Sequence, residues 1–270
     1  MTQTAQSEGA TSPMPVPSYP DLAGKVAVVT GGSGGIGSAT CRLLAANGAK
    51  VVVNARDQAA IEAVVGAIRS DGGEAIGVSA DCKDAGAVEH MRQRAEAELG
   101  PVEILAAFVG SGGARVAPTE QTTEEDWRLF VDGSLTATFL TVKSFLPGMI
   151  ERRRGAIITM SSTAGRVPLP GPSAAYASAK AGVVMYTRYL AMEGGKYGVR
   201  ANCISPGTVL VERLAQLIPV ERQQQMAAMT VLGRLGTPDD VALAALFLAS
   251  DSSSWITGAT LDVNGGAVML

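Results

Sequence analysis

Lys25-Val26-Ala27-Val28-Val29-Thr30-Gly31-Gly32-Ser33-Gly34-Gly35-Ile36-Gly37 runs from a β-branched stretch through a glycine-rich turn into a segment of helical period at 37–47. A strand delivered so abruptly into a helix aims the free N–H groups and partial positive charge of that helix at whatever lies over the turn. Three glycines suit this geometry. Gly31 permits the tight turn, Gly35 lets backbone N–H groups approach a pyrophosphate, and Gly37 lets the helix pack closely on the strand, with Ser33 and Ile36 inside the same loop. Loops often use glycine for positive φ, so the weight lies in the placement between strand and helix rather than in the glycines alone.

The alternation continues along the chain. Further β-branched or apolar runs occupy 50–54, 75–79, 104–109, 156–161, 199–204 and 260–263, and segments of helical spacing occupy 58–70, 85–99, 124–150, 174–194 and 239–250. Apolar strands separated by helices predict an α/β fold, a Rossmann-type doubly wound parallel sheet of about seven strands buried on both faces. No Pro/Ser linker or repeat divides 22–270, which reads as a single dinucleotide-binding catalytic domain behind a flexible N-terminal tail at 1–21. Between Pro206 and Pro238, Leu210, Val211, Leu214, Leu217, Ile218, Met226 and Met229 have the spacing of core-packed helix. The alternative for this stretch, around 208–235, is a mobile lid over an apolar substrate.

Composition narrows the function classes. With 270 residues, 47% hydrophobic and 17% charged, the chain has the apolar content that disordered proteins lack. A net charge of -3 gives no general affinity for nucleic acid, and Arg152-Arg153-Arg154 reads as a solvated helix end. Cys41, Cys82 and Cys203 are odd in number, far apart and without metal-type spacing, so neither a disulfide framework nor a metal site is expected, and a reducing cytoplasm fits. The N-terminus has the pattern of neither a signal peptide nor a membrane span.

Where the second strand ends, a carboxylate would hold the ribose 2′-hydroxyl of NAD and a cation would accommodate the 2′-phosphate of NADP. The chain reads Asn54-Ala55-Arg56 there, which favours NADP, with Asp57 as the one nearby acid that offers the other choice. Tyr176 and Lys180 stand four apart in an Ala-rich helical segment, so both leave one helix face, and an ammonium beside a phenol lowers the phenol pKa. Such a pair is common on helix surfaces. It gains meaning from Ser161 and Ser162 at the end of the fifth strand and Pro206-Gly207 just past the sixth, all at the carboxyl edge where open α/β sheets bind ligands. A serine hydroxyl there can hydrogen-bond a developing alkoxide.

Over 22–270 these motifs, in this order, resemble the short-chain dehydrogenase/reductase family, and the ending Ile256-Thr257-Gly258 through Asp262-Val263-Asn264-Gly265-Gly266 is similar to reductases of the 3-oxoacyl carrier-protein type. The resemblance implies an NADP(H)-dependent ketoreductase or alcohol dehydrogenase acting on a small carbonyl or alcohol substrate, with no nucleic-acid or membrane partner, assembled as a homotetramer. It implies catalytic roles for Ser162, Tyr176, Lys180 and Ser134. It places the cofactor against Gly31, Ser33, Gly35, Ile36, Gly37, Arg56, Asp81, Cys82, Val109, Gly110, Tyr176, Lys180, Pro206, Gly207 and Val209. Two departures stand out. Ala107-Phe108-Val109-Gly110 replaces the family's usual Asn-Asn-Ala-Gly, and Ser134 replaces an asparagine that holds a proton-relay water. Ser134 either holds that water itself or bonds back to a helix carbonyl. Val211 stands where the family often has a threonine, the stretch from Ser162 to Tyr176 is one residue longer than usual, and the single histidine, His90, reads as solvent-facing. The lost amides motivate a second class, a non-redox lyase, isomerase or dehalogenase on the same scaffold; a third is a dinucleotide-sensing binding protein.

Overall fold

The computed structural model describes residues 17–110 and 117–270. Most of the expected tail, 1–16, and residues 111–116 lie outside the described residues. Seven strands, β1 Val26–Thr30, β2 Lys50–Ala55, β3 Ala75–Ser79, β4 Val102–Ala107, β5 Gly155–Met160, β6 Val199–Pro206 and β7 Thr260–Val263, form one sheet in the order β3-β2-β1-β4-β5-β6-β7, parallel throughout. This is the doubly wound fold that the alternation predicts. The order reverses between β1 and β4, which opens a crevice at their carboxyl ends.

Alternation along each strand builds two cores. Ala27 and Val29 of β1, with Val51, Val53, Ile104 and Ile158, pack toward α1 Gly35–Ala46, α2 Gln58–Ser70 and α9 Pro238–Ala249. Val26 and Val28, with Val52, Leu105 and Ile157, face α3 Ala85–Leu99, α5 Ala137–Glu151 and α6 Ala174–Gly194. Strands buried on both faces need apolar residues at every position, hence the continuous runs. The stretch Glu124–Glu151 has the length and apolarity of a membrane span, but its Val142, Phe145 and Met149 are buried in the second core.

Several local expectations need correction. The fourth strand is shifted to Val102–Ala107, because Phe108 and Val109 leave the sheet and give their N–H groups to Thr30 Oγ1 at 3.0 and 3.3 Å. The single helix expected at 124–150 is α4 Glu124–Phe130 and α5 joined by a π-helical turn, Val131–Thr136, with Ser134 inside it. Part of the expected tail is packed: Tyr19 N–H donates to Asn47 Oδ1 at 2.7 Å, and Asp21, with Asp251, pairs with Lys25 Nζ at 3.0 Å, just before the fully buried Leu22. Between β6 and α9 lie two short helices, α7 Glu212–Leu217 and α8 Val220–Ala228. Of the apolar residues expected to be core-packed here, Leu217 and Met229 are exposed and Leu210, Val211, Ile218 and Met226 are only partly buried, so those described are not fully buried core residues as their spacing suggests. His90 is exposed, as expected.

Candidate active site

The phosphate turn is built tightly. Gly31 and Gly35 have φ of 68° and 50°, values that side chains resist. A Cβ on Gly37 would sit 2.0 Å from the Gly31 carbonyl oxygen, so the start of α1 and the turn occupy one another's side-chain space. Ile36 packs against the first core, Ser33 is half-buried, and Gly32 N–H bonds the Asn54 carbonyl at 2.8 Å, joining the turn to β2.

At the end of β2, Arg56 is exposed, while Asp57 is the N-cap of α2 and accepts from Ala60 N–H at 3.2 Å. The acid that offered the alternative cofactor choice is therefore engaged in its own helix. Asp81 is half-exposed past β3 and accepts from Lys83 N–H at 3.0 Å. Cys82 turns its thiol inward to Asn54 Oδ1 at 3.2 Å, and burial pushes that thiol up to about 11. Any contact Cys82 makes in the crevice is therefore a backbone contact. Asn54, which sequence reading treated only as a missing acid, is the link that ties β2 to the loop after β3 through Val78 and Ala80.

The catalytic candidates meet at the ends of β4, β5 and β6. Ser173 caps α6 by accepting from Tyr176 N–H at 3.2 Å, which places Tyr176 in the first helical turn and Lys180 one turn on. Lys180 is only 4% exposed; its Nζ donates to the Met160 carbonyl at 2.9 Å and lies 5.9 Å from the Tyr176 ring centroid. Gly110 faces it: a Cβ there would come 3.1 Å from Lys180 Nζ and 4.0 Å from Ser134 Oγ. Ser134 is fully buried and its hydroxyl has no hydrogen-bond partner among the described residues. It does not bond back to a helix carbonyl. A buried, unpartnered hydroxyl beside a lysine suits a held water.

Ser162 opens a 3-10 turn, Thr163–Gly165, and accepts from Ala164 N–H at 3.3 Å. Thr163 Oγ1 donates to the Pro206 carbonyl at 2.7 Å, and Ser161 Oγ donates to the Lys180 carbonyl at 2.8 Å, fastening the serine turn to β6 and α6. Neither link was foreseen; hydroxyls flanking a candidate serine at a strand end are the available signal. Gly207 packs so close to Asn264 that a Cβ would meet its Cα at 2.9 Å, and Val209 forms an isolated bridge with Gly236. Phe130 packs edge-on to the Tyr176 ring at 5.7 Å.

Burial pushes the Tyr176 phenol above its ordinary value, and the Ser162 hydroxyl pulls it part of the way back. The expected depression by Lys180 is not met: burial sets the direction, and the group that opposes it is Ser162, not Lys180. Burial also pushes the Lys180 ammonium down, to about 8.

A parallel sheet with a glycine turn at its switch point and Ser, Tyr and Lys at its carboxyl edge defines the class of nicotinamide-dinucleotide oxidoreductases. Residues 31–268 match the family model described as enoyl-(acyl carrier protein) reductase, and the chain belongs to the short-chain dehydrogenase/reductase family. It is 39% identical to cis-4-hydroxycyclohexanecarboxylate dehydrogenase of Sinomonas cyclohexanicum, over 91% of this chain and 97% of that one. It is 37% identical to 3-oxoacyl-[acyl-carrier-protein] reductase of Synechocystis sp., over 92% and 98%. Among solved structures, gox2181 superposes with a TM-score of 0.87 at 32% identity, covering 92% of this chain and 98% of that one.

Proposed function

We propose that this chain is an NADP(H)-dependent oxidoreductase that reduces a ketone, or in reverse oxidises the secondary alcohol, by hydride transfer with Tyr176 as general acid/base. The observation that carries this reading is the convergence of Tyr176, Lys180, Gly110 and the buried Ser134 hydroxyl beside the Ser162 turn. The residues present fit a nicotinamide dinucleotide. The turn at Gly31–Gly35 keeps its backbone bare, Gly110 has no side chain to crowd Lys180, and Arg56 offers a guanidinium suited to a 2′-phosphate. Bound there, the cofactor supplies hydride for the carbonyl carbon or accepts it from the alcohol.

The chain's own residues handle the oxygen and the proton. Ser162 donates to the carbonyl oxygen and orients it, and Tyr176 delivers the phenolic proton as the alkoxide forms. A phenol raised by burial stays protonated at neutral pH, which suits a proton donor. Lys180, poised near 8, and a water held by Ser134 return the proton to Tyr176, and Lys180 also holds the nicotinamide ribose. The 208–235 segment serves as the lid; Val211 supports this, since its side chain lies 3.0 Å from where a Gly35 Cβ would be. The dehydrogenase and reductase names of the relatives favour redox chemistry over a lyase or a binding protein.

The test follows nicotinamide absorbance as the protein meets NADPH and a panel of β-keto esters, aryl ketones, imines and steroids. At least one is reduced, and Tyr176→Phe lowers kcat by about 10²- to 10⁴-fold. A protein that turns over none of them, or a Tyr176→Phe variant as active as the parent, overturns the reading.

A further inference from the structure

Arg166 lies at the end of the serine turn, two residues before the exposed stretch 168–172, which contains Pro168, Pro170 and Pro172. Its N–H closes the serine turn on the Thr163 carbonyl at 3.0 Å. Its guanidinium reaches across to the edge strand, where Nη2 donates to Asp262 Oδ2 at 3.2 Å. The inner side of the same turn is wedged against α6, because a Cβ on Gly165 would lie 2.7 Å from the Lys180 carbonyl carbon. Thus the turn that carries Ser162 is held by α6, by Pro206 at the end of β6, and by Asp262 on β7.

The pair with Asp262 is poorly suited to a stabilising role. The two side chains are 15% and 22% exposed. Register pairs Ser205 with Asp262 and Cys203 with Thr260, and paired or alternate residues of a parallel ladder share a face. On that face Arg166 Nε, Ser205 Oγ, Thr260 Oγ1 and Asp262 Oδ1 are all buried without a partner among the described residues. Unmatched buried polar atoms cost stability, and an ion pair taken largely out of water returns little of it. What the pair supplies is a fixed position for the outer end of the turn.

We propose that Arg166 and Asp262 are a positioning pair that holds the Ser162 turn against β7 and so sets where the Ser162 hydroxyl meets the substrate oxygen. The inference rests on the hydride-transfer reading. It separates two quantities that a merely structural ion pair moves together: loosening the turn misplaces Ser162, while apolar replacement of the pair relieves buried polar groups.

The experiment compares wild type, Arg166→Met, Arg166→Lys and the double variant Arg166→Met/Asp262→Leu. The double variant melts no lower than wild type. Its kcat falls about tenfold, less than the ~10²-fold that a 1 Å misplacement can cost, with the KM for NADPH unchanged. Amide hydrogen exchange accelerates in peptides covering 161–166 and nowhere else, and Arg166→Lys, which keeps the charge, recovers part of both effects. Unchanged exchange over 161–166 in Arg166→Met overturns the proposal, as does faster exchange spread over β6 and β7 with a lowered melting temperature. If Arg166→Met does not fold, Arg166→Lys carries the same readouts. A wild type that reduces nothing in the panel sinks the reaction instead, and exchange over 161–166 still decides whether the pair fixes the turn.

Discussion

Lys180 carries a charge in a place that resists one. Burial lowers its pKa from 10.5 to about 8, a difference corresponding to about 3 kcal/mol between its two protonation states. Between those values the unfolded chain binds a proton that the folded chain has released, so this group makes stability rise with pH across the window from about 8 to 10.5. Below about 8 the cost of the buried ammonium is present in full. Lys180→Met is therefore more stable than wild type at pH 7, and the two converge toward pH 10, as denaturant unfolding at a series of pH values will show. A pH-independent difference would mean that packing, not charge, separates them. Arg56 has the opposite setting, exposed at the end of β2. Hydrogen bonds to charged groups contribute about 1.5–3 kcal/mol, so Arg56→Ala weakens NADPH binding by about 10- to 100-fold and leaves NADH untouched, measured by titration of nucleotide fluorescence. Equal losses for both nucleotides would remove the 2′-phosphate from the explanation. The exposed basic residue and the missing acid were readable in sequence; the engagement of Asp57 as a helix cap was not, since capping depends on where α2 begins.

At the scale of elements, legibility followed period and failed where period carries no information. The strand, turn and helix at 26–46 were readable because glycine spacing and apolar runs report directly on backbone geometry. The π turn at Val131–Thr136 was not, because apolar residues continue through Phe130, Leu135 and Ala137 without a break in helical spacing. The stretch 212–229 shows the converse problem: helical spacing was present, but neither its division into α7 and α8 nor the exposure of its apolar residues follows from it, because periodicity cannot tell a face packed on the core from an exposed one. The phosphate turn offers a sharp contrast for testing. A methyl on Gly37 meets the Gly31 carbonyl at 2.0 Å, whereas one on Gly34 meets nothing within 4 Å, and Gly34 is extended at φ -163°. Gly37→Ala accordingly loses about 1–3 kcal/mol of stability by overpacking and no longer gains melting temperature on adding NADPH. Gly34→Ala keeps both. Thermal melts with and without NADPH decide it, and a Gly37→Ala variant that still responds to NADPH would show that the turn tolerates displacement of α1.

At the scale of the whole molecule, the described residues leave two apolar surfaces bare. Met185, Tyr189 and Met192 are exposed along α6 at i, i+4 and i+7, with exposed Trp127 on α4 and Phe139 on α5. At the β7 end of the sheet, Trp255 is 99% exposed, together with Leu261, Met269 and Leu270, and a cavity of about 420 Å³ lined by Val231, Leu232, Leu261 and Met269 opens beside them. Large exposed apolar patches mark interaction surfaces. A tetramer of D2 symmetry needs two different self-complementary patches on each subunit, because each two-fold axis buries its own. One patch along α6 and one at the β7 edge would serve as those two surfaces in the homotetramer that the family resemblance implies. A charge placed in one patch should break one set of contacts and spare the other, which a single-interface dimer cannot do. If the assembly is such a tetramer, Tyr189→Glu and Trp255→Glu each reduce it to half its mass in light scattering, and the double variant runs as a monomer. If Tyr189→Glu alone yields monomers, there is one interface and the assembly is a dimer; if wild type is already monomeric, both patches belong to other partners.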